Sequence, residues 1–197
     1  MGEPSLAVLR AIRLKLVASP EAVGVGTGMD EGAASATLEE LGAAGLAAQT
    51  PRGWRLTADG QATLLGLLER ERASVDVATA QRAHERFTHL DAQVKQIVTD
   101  HLMSGAPSVS AADVQRLVDV HRSAGEVLDV AVTMAPRLAQ YGPRLERAIA
   151  QLESGDARFL AHPMLDSYHT VWFEFHEELI HLAGLTRAQL DETGHTP

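Results

Sequence analysis

The sequence predicts a mainly α protein with one small β-hairpin, built as a punctuated N-terminal part followed by a bundle of longer helices. Three observations predict it. Apolar residues recur at helical spacing in both parts, as Leu6, Leu9, Ile12 and Leu16 and again as Phe87, Leu90, Val94 and Ile97. Short extended runs flank a single turn, Thr50-Pro51-Arg52-Gly53. Glycine and proline breakers interrupt the chain every ten or so residues up to about residue 70 and are sparser beyond it. The boundary is expected near residue 72, giving parts 1–72 and 73–197.

In the first part, Leu6, Leu9, Ile12 and Leu16 define helix one. Ser19 is a helix N-cap and Pro20 the first residue of a second, short helix weakened by Gly24 and Gly26. Thr27-Gly28 reads as a turn. A third helix starts near Asp30, carries Ala34, Leu38 and Leu41 on one face, and stops at Gly45. Leu46 to Gln49 and Trp54-Arg55-Leu56 are extended, and Thr57 caps a helix from Ala58 to about Arg72. Gly24-Val25-Gly26-Thr27-Gly28 is not expected to be a phosphate loop, because no strand precedes it and no lysine follows.

Three helices, a hairpin and a further helix make the order of a winged helix-turn-helix. Leu38-Glu39-Glu40-Leu41 to Gly45-Leu46, followed by Trp54-Arg55-Leu56-Thr57-Ala58-Asp59-Gly60, resembles the MarR-type winged-helix pattern. The resemblance covers about residues 5–70. It implies a recognition helix followed by a wing, and DNA as a partner. In such modules the third helix enters the major groove and the wing reaches the backbone or minor groove. Here Ser35 and Thr37 are the available readers on helix three, which has no basic or amide residue between Asp30 and Ala44. Arg52 and Arg55 on the wing and Arg10 and Arg13 on helix one are candidate phosphate contacts that a dimer doubles. The competing reading is a solvated hairpin and an ordinary helix surface, in a module that docks protein.

The second part reads as an antiparallel bundle or a set of dimerisation helices. His101 extends the Phe87–Ile97 stripe. Met103 to Ser108 is a loop, Ser110 caps the next helix, and Val114, Leu117, Leu128 and Val132 continue it. Pro136 kinks or ends that helix, Gly142-Pro143 opens another, and Gly155-Asp156 closes it. A last helix starts near Met164 or Asp166 and runs to Ala183, with Gly184 as C-cap. From Thr193 the chain is expected to fray. Tyr141-Gly142-Pro143-Arg144-Leu145, Gly155-Asp156 and the run Asp166 to Glu177 (DSYHTVWFEFHE) are similar to the C-terminal region of actinobacterial winged-helix regulators. Similar units occur attached to PEP-utilising, pyruvate-phosphate-dikinase-like proteins. That resemblance implies a PEP-utilising partner, but no phosphotransfer chemistry.

The run from Tyr168 to Phe175 holds four of the eight aromatic residues. His169 and His176 lie two turns apart on one helix face with Trp172 between them. His121 and His101 fall in line with the apolar stripes of their own helices. Tyr168, His169, Trp172, His176, His121 and His101 are therefore candidate lining for a small-molecule pocket. The competing reading is a set of hydrogen-bonded core histidines. Glu178 and His181 form a single Glu-x-x-His, expected on the solvated face with Thr170 and Glu174. Carboxylate-bridged metal bundles need two such motifs, so no metal and no cofactor is assigned. Asp166 and Glu174 offer an acid and base of a kind that any acidic chain holds, and nothing marks a nucleophile elbow.

Charge refines these readings. The chain has 17 Lys+Arg against 26 Asp+Glu, a net of −9, and no cysteine. Disulfides, thiol catalysis and zinc–cysteine sites are excluded. Residues 1–70 hold eight acids and six bases, so the winged helix is close to neutral and the excess acidity is C-terminal. Arg10, Arg13 and Lys15 interrupt the first apolar stretch, which argues against a signal peptide or membrane span, and Gly2 lacks the Ser or Thr that N-myristoylation needs. The expectation is a cytoplasmic, homodimeric, ligand-responsive transcriptional regulator. A DNA-independent interaction module of a PEP-utilising system is the alternative, and an enzyme with an aromatic–histidine pocket is the least supported reading.

Overall fold

A computed structural model describes residues 3–185. The protein is mainly helical, with one two-stranded antiparallel sheet. It divides into two compact units between Ser74 and Val75, each with its own apolar core.

The first unit runs α1 (Glu3–Lys15), α2 (Pro20–Thr27), α3 (Glu31–Ala43), β1 (Ala47–Thr50), β2 (Gly53–Leu56) and α4 (Ala58–Ala73). Side chains that favour caps start three of its helices. Ser19 accepts from the Ala22 N–H, Asp30 from Ala33 and Thr57 from Gly60. The sequence from Gly24 to Gly28 is the end of α2 and its left-handed cap. Leu6, Leu9 and Ile12 pack with Val23, Leu38, Leu41, Leu64 and Leu68. Leu16 departs from the expected stripe: it lies beyond α1, is 70% exposed and has φ 63°. There the chain reverses in a three-residue turn, with the Val17 N–H donating to the Lys15 carbonyl at 2.7 Å.

That turn delivers Ala18 to the edge of β2. Ala18 and Trp54 exchange two backbone hydrogen bonds of 2.9 and 2.8 Å, on the side of β2 away from β1. The Trp54 ring lies over Gly42 of α3, where a Cβ would sit 2.8 Å from it. Strand alternation then turns Arg55 to the opposite face of the hairpin.

The second unit runs α5 (Val77–Ser104), α6 (Ala111–Met134), a 3-10 turn (Pro136–Gln140), α7 (Tyr141–Glu153), α8 (Arg158–Ala161) and α9 (Tyr168–Leu182). Helix α6 ends before Pro136 and does not kink through it, because proline cannot donate to the ladder. The short α8 is absent from the sequence expectation. Helix α9 begins at Tyr168, with Ser167 as N-cap and Gly184 in the left-handed conformation past its end. Ten of its fifteen residues are buried, which makes it the central helix of this unit. It packs on α5, α7 and α8. Thr193, where fraying is expected, lies outside the described residues. Among the described residues no helix is long and apolar enough to cross a membrane.

Candidate functional site

In the second unit, α9 presents aromatic and charged side chains to different neighbours. Toward α5 and α6 a ladder of rings forms. His121 meets the edge of Tyr168, Tyr168 stacks on Trp172 at 5.6 Å, and Trp172 stacks on Phe87 at 4.4 Å between centroids. Phe87 touches His176, and His176 stacks with His84 at 5.3 Å. These separations are ordinary aromatic packing, so the rings fill the space between them. The His176 and His84 Nε2 atoms are 3.3 Å apart, with one ring donating to the other. The Trp172 Nε1–H donates to Asp91 at 3.0 Å, and Lys95 pairs with the same carboxylate at 2.8 Å.

Four of the six expected pocket residues, Tyr168, Trp172, His176 and His121, therefore lie along one ladder. His169 and His101 do not join it. His169 is half-buried near Asp91 and Lys95. Burial lowers its pKa, with the Lys95 charge adding and Asp91 opposing. His101 sits at the other end of α5, about 25 Å along the axis from His84. It faces Asp113, whose carboxyl is held low by the Ser110 hydroxyl first and by Arg116 and His101 as well. Burial also lowers the pKa of His121, against the charge of Glu146. The Tyr168 hydroxyl and His121 Nδ1 are buried without a hydrogen-bond partner among the described residues. Burial drives the Tyr168 phenol far above its ordinary value.

On α9 toward the 3-10 turn and α7 lies a buried charged network that sequence reasoning missed. Glu174 and Glu178 are 5% and 0% exposed, which corrects their expected place on the solvated face; Thr170 and His181 are half-buried. Their burial is offset by arginines. Arg137 pairs with Glu178 at 2.7 Å, and Arg144 pairs with Glu174 at 2.7 Å. Arg144 also grips Asp166 through two nitrogens, at 2.7 and 3.0 Å, and donates to Gln140. Its guanidinium lies 5.3 Å from the Tyr141 ring centroid, and the Tyr141 hydroxyl donates to Glu178 at 3.3 Å. Burial opposes the charge on Arg144, but the Asp166 hydrogen bond and the nearby carboxylates outweigh it and raise its pKa. Burial, then Glu178 and Glu174, push the Tyr141 phenol well up. Asp166 and Glu174 share one guanidinium, so both suggested acid–base groups are engaged as acceptors.

One sequence signal could have found these groups. His84 and Asp91 occupy stripe positions around Phe87 and Val94, and Glu174 and Glu178 fall in line with Val171 and Leu182. A polar residue on an apolar stripe at helical spacing must be buried with a partner.

In the first unit, Arg13, Arg52 and Arg55 are exposed and Arg10 is half-buried. Ser35 and Thr37 are half-buried on α3, and the Thr37 hydroxyl donates to the Ala33 carbonyl at 2.9 Å. The exposed residues of α3 include Glu31, Ala36, Glu39, Glu40 and Ala43. Compared with family models, curated proteins and solved structures, the chain matches none.

Proposed function

We propose that the protein is a winged-helix transcriptional regulator that acts as a homodimer on DNA. The observation that carries this reading is the backbone pairing of Ala18 with Trp54. It sets a third, one-residue strand against the hairpin, between α1 and α2. The resulting order of helix, strand, helix, helix, hairpin and helix supports a winged-helix reading. Arg52 at the hairpin turn then meets DNA phosphates, with Arg10, Arg13 and Arg55 as further contacts and Ser35 and Thr37 as the polar groups of α3. The helices of the second unit supply the dimer interface and the response to a small molecule, which shifts DNA affinity only through unequal binding to two states. The test is fluorescence anisotropy of the full chain on its own promoter region. Binding that weakens steeply with salt is expected, and Arg52→Ala weakens it on every sequence alike. Salt-insensitive or absent binding refutes the reading.

The composition of α3 favours a second reading. Its exposed residues are acidic or small, which suits a protein partner better than a major groove. On this reading the chain is an interaction module for a PEP-utilising protein. Co-purification with such a partner that survives Arg52→Ala plus Arg55→Ala supports it and argues against DNA.

A further inference from the structure

We draw no further inference here: the strongest candidate, the exposed apolar tip between α5 and α6 that carries Leu102 and Met103, is an unpartnered surface, and nothing in the structure shows what covers it.

Discussion

At Gly60 a single hydrogen atom decides whether the first unit closes. A Cβ there would lie 1.9 Å from the Leu46 carbonyl oxygen, inside any tolerable contact. Gly60→Ala is expected to cost more than about 3 kcal/mol, seen as a lower urea midpoint at unchanged slope. The buried ions make the same case in the second unit. Arg137→Ala leaves Glu178, which is fully buried, without its guanidinium and is expected to cost about 3–5 kcal/mol. Arg137→Met with Glu178→Leu removes both charges and should recover most of that loss, which a double-mutant cycle measures. His121 and His169 set an acid limit. Both are held neutral by burial, so their folded pKa values lie below the unfolded value near 6.5. Above that pH they cost nothing. As pH falls through and below it the unfolded chain binds the protons first, and stability declines until the folded values are passed. Thermal midpoints between pH 7.5 and 5 should fall, and less so for His121→Gln plus His169→Gln.

Helix ends were the most legible elements, because caps are local chemistry. Ser19, Asp30, Thr57 and Ser110 each accept a backbone N–H three residues on. Thr57 does more than cap α4, since its hydroxyl also donates to the Gly45 carbonyl at 2.7 Å and so ties α4 to the end of α3. Thr57→Ala is expected to cost about 1–2 kcal/mol, whereas Thr57→Ser keeps both bonds. Urea unfolding of the two variants separates them. The failures have a physical cause as well. Leu16 fits the apolar spacing of α1, but the helix stops at Lys15 so that Ala18 can reach Trp54. Periodicity cannot see a strand of one residue. On α9 the spacing put His169 on the stripe of Trp172 and His176, whereas only the latter two join the ring ladder, and it put Glu174 and Glu178 in water.

Across the whole chain, the −9 charge is unevenly divided, and the two cores share no residue. The second unit buries Phe87, Trp172, Phe175, Tyr141 and Tyr168 within its own helices. A fragment of residues 75–197 should therefore fold alone, with a helical circular dichroism spectrum and a cooperative thermal transition. A non-cooperative melt would show that its core is incomplete without the first unit. The first unit is close to neutral, and the polar groups of α3 outside its acids are Ser35 and a Thr37 hydroxyl that already donates to its own helix.

The sequence by itself determined the mainly helical class, the single hairpin, the helix order of the first part and the caps Ser19, Thr57 and Ser110. Each of these depends on residues within about four positions of one another. Only the tertiary structure decided which partners the buried polar residues meet. Arg137 meets Glu178 and Arg144 meets Glu174 across 41 and 30 positions of sequence, and His84 meets His176 across 92. Helical spacing states which side chains share a face. It does not state which other face will cover them, and the buried charges of Glu174 and Glu178 and the His176 ring each meet a partner from a sequence-distant element.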